Sequence, residues 1–350
     1  MYEEQDIFKF NIVEDDIMDI WKLEESFNNF YDKFVIENKD NFNEMKKQRK
    51  KASIERIINK RIIWAIEILL FIVIIAWFIC VGAEEEDMFV PEFCGMLALL
   101  TPPLIALFKR KELDGYDLVY QEKIIKNLLR HFSSDLEFFP RESIDGIDYP
   151  KIGPGKYTDF YSTNVIKGKY KNSDVLIALV NTAYTYDRKV YKGLFEGWET
   201  KSEIRGEFLG LFMKVKLAKS TKTDLYLKNR AYLEQKVFDD FLGNVNNLEQ
   251  KNITNVEVYG LNEVFEVYSH NLESAEQILN SEMKNLLMSI NERQNFEFVI
   301  KDEYIYIRFW GSTFFAAPQL RNVPEAKEIL YQNYEIFYLI FLLLNKFEEM

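Results

Sequence analysis

The chain has 350 residues, a formal net charge of -12 and a pI near 5.0. That balance excludes general nucleic-acid binding, which neutralises phosphates with clustered Lys and Arg, and an apolar content of 48% excludes long disordered tracts. Two cysteines, Cys80 and Cys94, exclude a disulfide framework elsewhere in the chain and a Cys-based zinc site.

Residues 1–61 read as a cytoplasmic helical region ending in a basic segment. Ile17, Ile20, Trp21, Phe27, Phe30, Tyr31 and Phe34 follow the three-and-four spacing of one helix face, with acids on the other. The first 45 residues lack a charged stretch followed by an apolar one, so no cleavable signal peptide is expected. Lys46, Lys47, Arg49, Lys50, Lys51, Lys60 and Arg61 are candidate contacts for anionic lipid headgroups, at about 1 kcal/mol per charge. The same residues serve equally well as topology determinants.

Residues 62–108 predict a two-helix transmembrane hairpin. The first run, 62–81, carries the single charge Glu67 and at 1.5 Å per residue covers roughly 30 Å as a helix. The second, 89–108, is interrupted by Pro91, Glu92, Gly95, Pro102 and Pro103. Basic residues lie on both flanks, ending at Arg61 and resuming at Lys109, Arg110 and Lys111. The positive-inside rule then turns the acidic loop 82–88 outward and keeps both termini cytoplasmic, at a bacterial inner membrane. Trp64 and Trp77 suit interfacial anchoring, and Cys80 and Cys94 read as free thiols among apolar side chains. Glu67 is a candidate intramembrane functional residue, unless it snorkels to the interface or pairs across an oligomer.

Residues 112–350 read as one cytoplasmic α+β domain, an antiparallel sheet with helices that ends in a C-terminal helix. "YQEKIIKNLLRHFSSDLEFF" opens it with a helical stripe, and "KIGPGKYTDF" is a loop without the spacing of a phosphate-binding motif. "FYSTNVIKGKY", "DVLIALVNTAYTY", "GEFLGLFMKVKLAK" and "TDLYL" predict strands. "NVEVYG" and "EVFEVYS" predict two more, before a helix capped by Asn271 with Ala275, Ile278, Leu279, Met283, Leu286, Leu287 and Ile290 on its buried stripe. "FEFVI" and "EYIYIRF" form a hairpin, and the apolar run 336–344 near the C-terminus is too short to span a bilayer and predicts burial against the sheet or a membrane face.

The stretch "NEVFEVYSHNLESAEQILNSEMKNLLMSINERQNFEFVIKDEYIYIRF", residues 262–309, resembles the bacterial domain-of-unknown-function family 3137. That family typically shows a Phe-x-Val-Tyr-Ser segment, an Ala-x-x-Ile-Leu helix and a hairpin ending in an Ile-Tyr-Ile-like strand. "VIKGKY" and "EFLGLFMKV" are similar to its Gly-Lys and Gly-Leu-Phe segments, and a helix from Tyr120 to Phe139 sits where the family has one. His270 departs from the acidic or polar residue expected near the helix start. The resemblance, over roughly residues 45–318, implies a bacterial membrane protein with a transmembrane pair and a cytoplasmic domain. It supplies no activity and no catalytic residue.

The residues themselves lean away from catalysis. His131 and His270 make no pair at metal-ligand spacing, and no GxSxG, GxGxxG or HExxH motif is present. No catalytic, cofactor or metal residue is nominated. The expected function is a membrane-anchored interaction or sensor module, with membrane lipids and a protein partner or a second copy as partners. An oligomeric membrane effector with Glu67 lining its bundle is the alternative, ahead of an uncharacterised hydrolase.

Overall fold

The computed structural model describes residues 22–81, 115–146, 149, 158–191, 198–217, 224–232, 253–311 and 313–349. The chain divides into two compact units, one of residues 1–30, 125–315 and 331–350, the other of residues 31–124 and 316–330. The helices are α1 (Leu23–Glu37), α2 (Lys39–Val81), α3 (Lys126–Phe132), α4 (Leu272–Ile278), α5 (Ser281–Arg293) and α6 (Lys327–Glu348). The strands are β1 (Leu136–Phe139), β2 (Asp159–Tyr170), β3 (Ser173–Tyr191), β4 (Trp198–Lys216), β5 (Leu225–Asn229), β6 (Thr254–Val256), β7 (Phe265–Ser269), β8 (Phe296–Lys301) and β9 (Tyr304–Trp310).

In the first unit these strands make one antiparallel sheet in the order β1-β2-β3-β4-β9-β8-β5-β7-β6. The β8–β9 hairpin turns at Asp302, whose φ of 57° is the left-handed conformation that a two-residue hairpin turn demands and that Asp tolerates. Its register sets Phe298 opposite Ile307 and Phe296 opposite Phe309. These aromatic and branched residues line one face of the sheet, against which the C-terminal helix packs. Phe347 of α6 stacks on Phe298 with centroids 5.7 Å apart, and Phe337 stacks on Phe315 at 5.2 Å. Tyr170 donates from its hydroxyl to Asn345 Oδ1 at 2.7 Å. Every residue of the run 336–344 is buried, the condition of a helix that is apolar on all sides. The expected burial against the sheet is what this run achieves.

Local chemistry explains where the helices stop and start. After Phe132 the backbone of Ser133 becomes extended, φ -155° and ψ 130°, so the helix ends there and 136–139 pairs as β1. The reading of one helix from Tyr120 to Phe139 is corrected accordingly. Asn271 Oδ1 accepts from the Ser274 N–H at 2.8 Å, as its position predicts. Asn280 does the same for Met283 N–H at 2.8 Å, and this second cap splits the expected single helix into α4 and α5.

In the second unit, Asn38 separates α1 from α2. It is buried, donates from Nδ2 to the Phe34 carbonyl at 3.0 Å, and accepts from Asn41 Nδ2 at 3.1 Å. Arg49 donates to the Asn322 carbonyl, Lys46 pairs with Glu325, and Tyr31 donates to the Glu325 carbonyl at 2.9 Å. Tyr116 lies in the helical residues 115–120 with its hydroxyl buried and unpartnered among the described residues. Burial above all, with lesser help from Asp117 and Glu325 and against the pull of Arg49, pushes this phenol up to about 12. Burial makes the folded chain hold this proton beyond the unfolded value of 10.0, so stability is level below pH 10 and falls as pH climbs toward 12, where the unfolded chain ionises first. Tyr116→Phe is therefore expected to gain about 1 kcal/mol at pH 7, because an unsatisfied buried hydroxyl is removed. The variant should also lose less stability than the parent between pH 10 and 12, read by denaturant titration at each pH.

The predicted two-helix transmembrane hairpin is overturned. Among the described residues no helix is long and apolar enough to cross a membrane. A span needs about 20 consecutive apolar residues. The first run is instead the far end of α2, one 43-residue helix that enters it directly from the basic segment. The loop 82–88 and the second run 89–108 lie outside the described residues, as do Ile17, Ile20, Trp21 and Cys94. What stands is an α+β chain built on a large antiparallel sheet.

Candidate functional site

Along α2, Lys47, Lys50, Ile54, Ile57, Arg61, Trp64, Ile68 and Phe71 follow one another in alternating steps of three and four, the spacing that aligns side chains on one side of a helix. All eight are exposed. Ile57 is 54% exposed, Trp64 60% and Phe71 63%, values far from those of a core-facing stripe. Met45 and Ala52 are buried on the opposite side. The stripe begins with cations and becomes apolar along its length, and Lys47, Lys50, Lys51, Ile54 and Glu55 line a shallow open depression at the changeover.

The structure divides the predicted lipid-contact residues. Lys46 and Arg49 are engaged inside the second unit, by Glu325 and by the Asn322 carbonyl. Lys51 reaches Glu55 one turn on at 3.9 Å, an exposed pair of little energetic weight. Lys47, Lys50, Lys60 and Arg61 are exposed on α2. Glu67 falls within the α2 backbone, but its side chain lies outside the described residues, as do those of Trp77 and Cys80. Among the described residues no group of His, Cys, Asp and Glu could hold a metal ion. His131 packs its ring on Phe30 at 4.4 Å and Phe132 at 5.2 Å, and His270 is exposed immediately before the Asn271 cap.

Sequence reasoning missed a charged cluster on the other face of the sheet. Arg308 and Glu297 stand directly opposite each other across the β8–β9 hairpin, both sealed from solvent. Arg308 donates to Glu297 Oε2 from Nε at 3.1 Å and from Nη2 at 2.5 Å, and to the Tyr149 hydroxyl from Nη1 at 3.0 Å. The guanidinium lies over the rings of Phe208, 4.9 Å away, and Trp310, 5.5 Å away. Burial by itself would lower the Arg308 pKa, but attraction to Tyr149 and Glu297 wins and raises it. A cation fully neutralised and roofed by aromatic rings organises strands. The signal that could have exposed it is the hairpin register, which pairs 297 with 308 once the turn is fixed at 302.

The extent of this sheet half coincides with a family match. Residues 206–348 match the family described as protein of unknown function (DUF3137). The resemblance read from residues 262–309 is thereby borne out, whereas "VIKGKY" and the helix at Tyr120 precede the matched span. The DUF3137 segment carries β4 from Gly206 onward, β5 to β9, and α4 to α6, so it contains the Arg308–Glu297 pair. No curated protein matches the chain. Among solved structures the chain is similar to the mycobacterial trehalose monomycolate transport factor A, TtfA, with a TM-score of 0.33 and 11% identity over 63% of this chain and 93% of that one. At that score the likeness carries no argument about fold or activity.

Proposed function

We propose that the chain is a non-catalytic interaction module that docks on an anionic lipid surface, at the cytoplasmic leaflet, through the exposed stripe of α2. The observation that carries this reading is the continuity of cations and exposed apolar side chains on one side of a single helix. Lysine and arginine meet headgroup phosphates while Ile57, Trp64, Ile68 and Phe71 enter the boundary of headgroup and acyl chain, the behaviour of a helix lying in an interface. Long cationic stems also cover apolar surface while keeping their charge in water.

Flotation of the full chain with vesicles tests this. Vesicles containing phosphatidylglycerol are expected to carry the protein up, and pure phosphatidylcholine vesicles to carry far less. Replacing Lys47, Lys50, Lys51, Lys60 and Arg61 together by Gln removes five charges at about 1 kcal/mol each, so binding should weaken on the order of a thousandfold. Equal binding to both vesicle types, or binding indifferent to these substitutions, would sink the reading.

A further inference from the structure

Past Ala183 and Gly206, β3 and β4 continue beyond their neighbours. β2 pairs with β3 no further than Asp159 opposite Ala183, and β9 pairs with β4 no further than Trp310 opposite Gly210. Among the described residues, 184–191 and 198–205 pair with each other and with no third strand. At about 3.3 Å per residue this is a two-stranded ribbon roughly 26 Å long. Such ribbons are marginal in water by themselves, and an open edge is a template for another strand.

Register decides which backbone groups face that edge. The Thr158 N–H donates to the Ala183 carbonyl at 2.9 Å, and the Thr185 N–H donates to Thr158 Oγ1 at 3.0 Å. Odd residues of β3 thus turn their backbone groups toward the β2 side, and even residues turn theirs toward β4. The residues opposite Tyr184, Tyr186, Arg188 and Val190 are Arg205, Glu203, Lys201 and Glu199, which turn inward. The backbone N–H and C=O groups of Thr200, Ser202, Ile204 and Gly206 are therefore the ones presented on the outer edge of β4.

We propose that this edge pairs antiparallel with the same edge of a second copy, about a two-fold axis through Ser202. Ser202 then exchanges backbone hydrogen bonds with its own copy, and Thr200 with Ile204 of the second copy. Between them Lys201 falls opposite Glu203 and Glu203 opposite Lys201. These are the closely spaced positions of the ladder, with Cα atoms about 4.5 Å apart. The two-fold axis relates these two places, and each brings unlike charges together. A shift of two residues either way reverses this. One shift sets Lys201 against Lys201 and Glu199 against Glu203; the other sets Glu203 against Glu203. Charge thus selects a single register among those the backbone allows. Ile204, 74% exposed, gains a neighbour in that register and no other side chain needs to be buried.

This inference does not rest on lipid binding, and its test contains no vesicles. Light scattering on the full chain should give a dimer whose dissociation constant rises at least about tenfold in Lys201→Glu, since like charges then face each other twice. The double exchange Lys201→Glu with Glu203→Lys should restore it. In a background of Cys80→Ala and Cys94→Ala, Ser202→Cys should be linked to its own copy by a short bismaleimide, because the two Cα atoms are about 5.5 Å apart. Thr200→Cys should stay unlinked, being about 13 Å from its own copy at four residues' offset. A monomeric parent chain, a double exchange no better than Lys201→Glu, or Thr200→Cys linking as readily as Ser202→Cys would each overturn the proposal.

Discussion

Replacing Arg308 by Met is expected to destabilise the first unit by about 3–5 kcal/mol, the usual consequence of stranding one member of a buried ion pair. The substitution removes both hydrogen bonds to Glu297 Oε2 and the one to Tyr149, leaving a carboxylate in a setting with no solvent access. Among the described residues Glu297 Oε1 already has no hydrogen-bond partner, so none of them offers an alternative polar contact to absorb the loss. The size of the effect comes from desolvation and not from the attraction of the pair itself. It follows that removing both charges, with Glu297→Leu and Arg308→Met in one chain, should recover most of the stability, because a buried pair exchanged for apolar side chains of similar volume is often neutral or better. Urea unfolding followed by circular dichroism separates the cases. A single Arg308→Met variant as stable as the parent would show that the pair contributes nothing to the fold.

That pair also shows where sequence reading stops. The period-two pattern of "EYIYIRF" turns Ile305, Ile307 and Phe309 to one face, which is buried, and Tyr306 and Arg308 to the other. The structure buries that face too: Tyr306 and Arg308 are as inaccessible as Ile307, because Tyr149, Phe208 and Phe212 cover the strands from a segment and a strand distant in sequence. Which faces are covered is a property of tertiary placement, and alternation within one strand is silent on it. Short-range chemistry was readable where it is self-contained. Asn271 depends on a few adjacent residues and stands where the sequence puts it, whereas the hairpin loop, read between Ile300 and Glu303, lies one residue further on, between Lys301 and Tyr304. The Asn280 cap was overlooked because the apolar stripe from Ala275 to Ile290 continues across the break at helical spacing. For α2 the reverse holds. Composition singled out an apolar run and its basic flank as separate regions, whereas the helix unites them, and the exposed stripe exists only because it crosses the boundary between them.

Gly210→Ala is expected to cost about 3 kcal/mol or more, the upper range for forcing extra volume into a packed interior. Gly210 lies in "EFLGLFMKV", where the sequence offers no reason for a glycine in the middle of an otherwise apolar strand. The packing supplies one. A Cβ placed there would lie 1.9 Å from the Phe309 carbonyl oxygen and 2.9 Å from Cζ of Phe208. The carbonyl belongs to β9, the strand hydrogen-bonded to β4 at this point, so it cannot move without opening the ladder that joins the two halves of the sheet. Phe208 in turn holds the Arg308 guanidinium against its ring, so displacing it disturbs the buried pair as well. Gly206, four residues earlier, is the internal control: among the described residues a Cβ there meets nothing within 4 Å. Gly206→Ala should accordingly fall within about 0.5 kcal/mol of the parent, or gain slightly through a stiffer unfolded chain. Thermal unfolding of the two variants side by side measures the contrast. Equal midpoints would mean that β4 and β9 tolerate separation at Gly210, and that the glycine is there for a reason other than close backbone approach.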